Sequence, residues 1–281
     1  MKQYVCLNHE WVEPHEAKIS VFDRGFLFGD GIYEVISVFN GQTFLAEEHL
    51  DRLYRSLNLT HIPQPLSQDL WHQYIQEMIH RNELMNGYIY IQITRGAPSS
   101  RRHICPPNIQ PNWFMMSQPI AKHSESIIGY LHPDERWSHC HIKATSLLPN
   151  VLASISAHNS GAHEAILHRN GLITEGASSN LFLIKDNVIK TPPLSQNILP
   201  GIIREFTLKL CHELNLPVKI EPIKLEDLYH ADASFITSST RLIKPLIKLR
   251  DYQFDVNHSY ILKLIQAINH AAQITEPHST S

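Results

Sequence analysis

Short apolar runs broken by turn residues alternate with two stretches of helical periodicity between Asn8 and Met116, and this alternation most constrains what the chain can fold into. Asn8-His9-Glu10 and Asn40-Gly41 are the breaks, and Asn-Gly between apolar runs is a strong hairpin signal because both residues tolerate positive φ. Leu50, Leu53, Tyr54 and Leu57 then fall at helical spacing within residues 46–59, which leaves Asp51 and Arg52 off the apolar stripe. Ser67, suited to cap a helix, precedes Leu70, Trp71, Tyr74, Ile75, Met78 and Ile79, again on one face. Residues 88–94 are β-rich, and Arg95-Gly96-Ala97-Pro98-Ser99-Ser100 opens a loop that carries Arg101, Arg102 and His103 and ends in Pro106-Pro107.

A short polar connection containing Pro119 follows the apolar stretch Trp113-Phe114-Met115-Met116. It predicts a smaller N-terminal domain over residues 1–118, a linker at 119–122 and a larger C-terminal domain over 123–281. In the second domain Lys143 is expected to close a strand, a short helix to span 150–158, and Asn170-Gly171 to turn a hairpin that leads into Thr174-Glu175-Gly176. Phe206, Leu210 and Leu214 mark a helix that begins close to Gly201, and residues 259–272 a last one. Both halves therefore mix strands and helices, an α/β (α+β) chain in two domains, without the glycine-rich fingerprint of a dinucleotide site.

The balance of charge narrows the partners. Across 281 residues the formal net charge is only −3, which offers no basic footprint for nucleic acid or an anionic membrane. A basic start followed by a long apolar run is missing, and no segment reaches a membrane-spanning length, so a cytoplasmic protein is expected. Cys6, Cys105, Cys140 and Cys211 lie far apart and read as free thiols. His139-Cys140-His141 has metal-ligand residue types, but alternation along a strand would turn Cys140 away from the two histidines, so no metal is expected.

Chemistry concentrates in two segments. His141-Ile142-Lys143-Ala144-Thr145-Ser146 supplies a lysine, and Thr174-Glu175-Gly176-Ala177-Ser178-Ser179-Asn180 a carboxylate. Pyridoxal 5′-phosphate needs a lysine to hold its aldehyde and an acid to keep its ring nitrogen protonated, so that the ring can accept electrons. One lysine and one glutamate are commonly surface residues; the neighbouring motifs set these two apart. Asp23-Arg24-Gly25-Phe26-Leu27-Phe28-Gly29-Asp30-Gly31-Ile32-Tyr33-Glu34, then His49-Leu50-Asp51-Arg52-Leu53, then the lysine and Thr-Glu-Gly segments, then Ile198-Leu199-Pro200-Gly201-Ile202-Ile203-Arg204 occur in one order. The series resembles the fold-type IV pyridoxal-phosphate enzymes over residues 4–245, and within them the D-amino acid (D-alanine) aminotransferases through Glu164-Ala165-Ile166-Leu167-His168-Arg169-Asn170 and the pair Arg101 and His103.

The resemblance implies a two-domain fold with the cofactor between the domains and a homodimer that acts on small amino acids and 2-oxo acids. Lys143 would be the covalent anchor and the proton shuttle, and Glu175 the partner of the pyridine nitrogen. Arg52, the helix start at Ile202 and Ile203, and Ser239 would cradle the phosphate, with Ile203 standing where many family members have threonine. Tyr33, Arg101 and His103 would hold the substrate carboxylate, the last two across the dimer. Arg102 is the alternative to Arg101, because this loop has one residue more between Arg95 and Arg101 than similar family members. Two further activities stay open within the family. An aminodeoxychorismate lyase usually carries Phe-Thr-Thr after Gly-Asp-Gly, and a branched-chain L-amino acid aminotransferase carries Glu-Gly-Ile-Arg, where this chain has Ile32-Tyr33-Glu34-Val35-Ile36-Ser37. A protein that kept the fold and lost catalysis is the non-enzymatic reading, and the complete set Lys143, Glu175 and Arg52 argues against it.

Overall fold

A computed structural model describes residues 3–120 and 124–273. The chain forms two compact units, one of Met1–Ala121 with Ile142–Leu147, the other of Lys122–His141 with Leu148–Ser281. Of the linker expected at 119–122, Pro119 is the last residue of a strand, while 121 and 122, like the start of the second domain at 123, lie outside the described residues.

Among the described residues of the first unit, six strands form an antiparallel sheet in the order β2-β1-β6-β5-β3-β4. They are β1 (Val5–Leu7), β2 (Glu10–Val12), β3 (Gly31–Phe39), β4 (Gln42–Thr43), β5 (Gly87–Thr94) and β6 (Asn112–Pro119). The β3–β4 turn is the expected Asn40-Gly41, with φ of 51° and 75°, the left-handed pair that matches the twist of a two-residue hairpin. Three helices accompany the sheet: α1 (Arg24–Phe28), α2 (Ala46–Thr60) and α3 (Gln68–Arg81), the last capped by Ser67, whose hydroxyl accepts the Leu70 amide at 3.4 Å. Leu50, Leu53 and Leu57 of α2 and Trp71, Ile75 and Met78 of α3 pack with Ile32, Ile36, Ile89, Ile91 and Ile93 in one core.

The apolar stripe of α2 is broken where the sequence reading placed polar residues outside it. Asp51 is exposed, but Arg52 is 3% exposed and His49 and Ser56 are buried with it. Period 3.6 brings 49, 52 and 56 onto the sheet-facing side, where Glu34 of β3 waits; a long-range partner, invisible to local periodicity, decides the burial.

In the second unit, β7 (Ile127–Pro133), β8 (Glu164–Arg169), β9 (Leu172–Gly176), β10 (Asn180–Lys185), β11 (Val188–Thr191), β12 (Val218–Ile220), β13 (Ile223–Lys224), β14 (Ala233–Ser238) and β15 (Leu242–Leu249) form a mixed sheet, and β16 (Tyr252–Gln253) pairs with β15. The order is β12-β11-β10-β14-β15-β7-β8-β9-β13. Asn170 and Gly171, with φ of 53° and 79°, turn β8 into β9 as expected. The helices are α4 (Leu148–Asn159), α5 (Ile202–Glu213) and α6 (Ser259–Ala271), with α5 beginning immediately after Gly201.

Lys143 does not close a strand. Ile142–Leu147 is an irregular segment joined to β3 by one bridge, Ala144 to Ile32, and it groups with the first unit rather than with the C-terminal domain to which the sequence reading gave the lysine. The cause is the free edge of β3: β4 pairs only with Val38 and Phe39, and the unpaired amides and carbonyls at the start of β3 need partners. Cys140 and His141 lie in a turn and His139 precedes it outside any strand, so strand alternation does not govern them; the two histidine rings are 5.8 Å apart while the Cys140 thiol points to the Trp137 carbonyl.

Candidate active site

The lysine segment is stitched to β3 by main-chain bonds. Tyr33 donates its amide to the Lys143 carbonyl at 3.0 Å, Thr145 donates to the Gly31 carbonyl at 3.0 Å, and the Lys143 amide reaches Ser56 Oγ on α2 at 3.4 Å. This seating puts Lys143 Nζ 4.2 Å from the centre of the Tyr33 ring. Tyr33 stands on the face of the sheet opposite α2 and α3, beside Tyr90, whose ring centre is 5.7 Å away and whose hydroxyl donates to Gln92 Oε1 at 2.7 Å. Burial pushes the Tyr90 hydroxyl up to about 12, so it remains a donor across the physiological range.

On the opposite face of β3, Glu34 accepts Arg52 Nε at 2.7 Å and Nη2 at 2.9 Å and takes His49 Nδ1 at 2.8 Å. Burial pushes the Glu34 carboxyl up, yet Arg52 and His49 overcome it and hold the group well below the usual carboxylate range. Burial pushes His49 down, toward the neutral ring.

A second arginine cluster shapes the loop at 101–103. Arg24 donates Nε to Asp30 at 2.7 Å, Nη1 to the Arg102 carbonyl at 2.5 Å and Nη2 to the His103 carbonyl at 2.9 Å. Arg95 holds both oxygens of the same Asp30 at 2.8 and 2.9 Å. The pinned loop sets Arg101 over the Phe28 ring at 4.8 Å and His103 beside that ring at 5.4 Å between centres. Arg101 and His103 therefore flank one aromatic residue of α1, whereas Arg102 enters the cluster through its main chain.

In the second unit Glu175 is 3% exposed at the end of β9. Its Oε1 accepts Arg136 Nη1 at 2.5 Å, its Oε2 accepts Asn180 Nδ2 at 2.9 Å, and the Leu199 amide lies 3.1 Å from both oxygens. Burial pushes the carboxyl up to about 7, against the pull of Arg136 and the Leu199 amide. Asn180 also donates to the Leu199 carbonyl at 3.0 Å, which ties β10 to the Leu199-Pro200-Gly201 approach to α5. A Cβ on Gly201 would stand 1.9 Å from Asn180 Oδ1, so only glycine lets the helix begin so close to this asparagine. The amides of Ile202 and Ile203 belong to the first turn of α5, where helix N–H groups have no partner inside the helix. Ser239 follows β14 in the turn that leads to Leu242, a leucine held at a φ of 51°.

The sequence reading passed over Arg136, Asn180, His49 and the Arg24–Asp30–Arg95 cluster. Arg24, Asp30, His49 and Asn180 lie within the ordered motifs and Arg95 opens the loop before Arg101, but a partner for a buried charge is found only in three dimensions. A buried arginine could have been suspected only by matching unpaired carboxylates in apolar strands, such as Glu34 between Ile32 and Ile36. Among the described residues no group of histidine, cysteine or carboxylate side chains is placed to hold a metal ion, and no helix is long and apolar enough to cross a membrane.

Residues 31–249 match the family described as Amino-transferase class IV. The chain is 39% identical to a D-alanine aminotransferase of Staphylococcus aureus over 87% of this chain and 88% of that one. It is 34% identical to a D-alanine aminotransferase of Listeria monocytogenes, over 89% and 88%. Among solved structures, the branched-chain amino acid aminotransferase of Escherichia coli superposes with a TM-score of 0.89 at 25% identity, covering 100% of this chain and 98% of that one. A Legionella pneumophila chain named as a 4-amino-4-deoxychorismate lyase superposes at 0.86 with 27% identity, covering 92% and 97%. With the family matched over most of its length and relatives above one-third identity, the chain belongs to the class IV aminotransferases and is a transaminase.

Proposed function

We propose that the chain is a D-amino acid aminotransferase that uses pyridoxal 5′-phosphate to exchange an amino group between D-alanine, with other D-amino acids, and 2-oxoglutarate in a ping-pong cycle. The observation that carries the reading is the seating of Lys143, a motif lysine fixed by its own main chain to β3 with its amine 4.2 Å from the Tyr33 ring. The D-alanine aminotransferases among the relatives support the choice of substrate.

The residues present fit the cofactor. Glu175 is a buried carboxyl poised near neutrality, suited to sharing a proton with a ring nitrogen. Thr237 Oγ1 and Ser238 Oγ are buried without a hydrogen-bond partner among the described residues, and Thr237 stands opposite Asn180 in the β10–β14 register, on the side of Glu175 and Gly201. Such orphaned hydroxyls suit a polar ligand. Arg52, the α5 start at Ile202 and Ile203, and Ser239 are the anion donors this reading assigns to the phosphate.

When bound, the cofactor supplies an aldehyde to carry the amino group and a ring that accepts electrons. Lys143 holds it and moves the proton at the substrate α-carbon. Tyr33, Arg101 and His103 orient the substrate carboxylate, and that anchoring decides which enantiomer turns its α-hydrogen toward the lysine. The same reading makes the protein a cytoplasmic homodimer with Arg101 and His103 serving the partner's site.

Initial rates of pyruvate formation from D- and L-alanine with 2-oxoglutarate test it, together with borohydride trapping and peptide mapping of the cofactor. A strong D preference and a label on Lys143 are expected. A preference for L-alanine, or a label elsewhere, overturns the assignment, and pyruvate from aminodeoxychorismate without D-alanine activity would favour the lyase.

A further inference from the structure

Glu34 is a fully buried carboxylate between Ile32 and Ile36 on the helix-facing side of β3. A carboxylate only accepts hydrogen bonds, so His49 Nδ1, 2.8 Å away, donates to Oε2, while Arg52 spans both oxygens as a fork at 2.7 and 2.9 Å. A buried ion pair of this kind adds little stability over apolar residues of equal volume, so packing alone gives no reason for it. Its location does. Ser56, one turn beyond Arg52 on α2, meets the Lys143 amide, and Tyr33, the chain neighbour of Glu34, meets the Lys143 carbonyl. The arginine fork and the lysine seat are thus built on the same few residues of β3 and α2.

We infer that Glu34, steadied by His49, is a positioning residue that aims the Arg52 guanidinium at the phosphate of the cofactor. The inference rests on the cofactor reading given above. Glutamine at 34 would keep the shape but turn an N–H₂ toward one arm of the fork, donor against donor, and Arg52 would swing off its axis. Aspartate keeps the charge and both acceptors at the cost of one methylene.

The test compares binding of pyridoxal 5′-phosphate and of the phosphate-free analogue 5-deoxypyridoxal to the apoenzyme, followed by absorbance, in wild type, Glu34→Gln and Glu34→Asp. Glu34→Gln is expected to raise the Kd for pyridoxal 5′-phosphate about 10- to 100-fold, the range for partners that orient a primary ligand, with the analogue unaffected. Glu34→Asp should recover part of the loss. Equal weakening toward both compounds, or no weakening, overturns the positioning role, since a merely structural defect does not distinguish them. If Glu34→Gln does not fold, Glu34→Asp carries the same comparison with a smaller expected ratio, and a ratio of one overturns the role. A wild type that binds neither compound would instead sink the cofactor reading itself.

Discussion

Glu175 and Arg101 make contrasting demands at the scale of single residues. Glu175 is held by four contacts from three partners, all of them donors, so Glu175→Gln loses the charge and turns an N–H₂ toward one of those donors. A neutral amide cannot favour a protonated ring nitrogen, and turnover should fall while cofactor stays bound. Single-turnover rates of α-proton removal equal to wild type would remove Glu175 from that role. Arg101 presents its guanidinium on Phe28, whereas Arg102 contributes a carbonyl that Arg24 holds. Arg101→Ala should therefore raise the KM for D-alanine more than Arg102→Ala, and the reverse order would exchange the two. Lys143→Ala should cost at least the roughly hundred- to ten-thousandfold associated with a lost general base, as measured by steady-state transamination.

Secondary-structure elements separate what was legible from what was not. The spacing of Leu50, Leu53 and Leu57, the cap at Ser67, and the Asn-Gly turns at 40 and 170 all act over a few residues, and each stands where local physics put it. Arg52 and the lysine segment depended on partners far along the chain. Periodicity ranked Arg52 by its neighbours on α2 and had no view of Glu34; the β-like residues around Lys143 satisfied a sheet edge through one bridge without becoming a strand. The start of α5 offers a test at this scale. Gly201→Ala forces its Cβ against Asn180 Oδ1, and Asn180 also holds Glu175, so the helix start and the acid should be disturbed together. Weaker affinity for pyridoxal 5′-phosphate with the helical circular dichroism preserved is the expected result, and unchanged affinity would show that Asn180 yields freely.

Buried charges make the stability of the whole molecule depend on pH. Glu34, Asp30 and Asp134 are all held below their ordinary values of 4.5, 3.8 and 3.8; burial raises each, and paired arginines overcome it. Their unfolded forms take up protons first as pH falls, so the stability they contribute is present above those values and lost below them. His49, lowered by burial from 6.5, has the same sign at higher pH, whereas Glu175, raised to about 7, keeps a proton that the unfolded chain has released and so favours the folded state toward acid. The two oppose each other between pH 4.5 and 7, and the three carboxylates meet no such opposition below. Urea midpoints should change little from pH 7 to 5 and fall steeply under 4.5; a steady decline beginning at 7 would mean that Glu175 titrates as an ordinary carboxylate. A different consequence follows from the six-residue stretch that rejoins the first unit after the chain has entered the second. The gene cannot be cut at one point into two self-sufficient modules. A chimera that borrows its C-terminal portion from a relative imports a foreign Ile142–Leu147 as well, and the lysine of that segment will be seated only if the graft matches the recipient's Gly31, Ile32 and Tyr33.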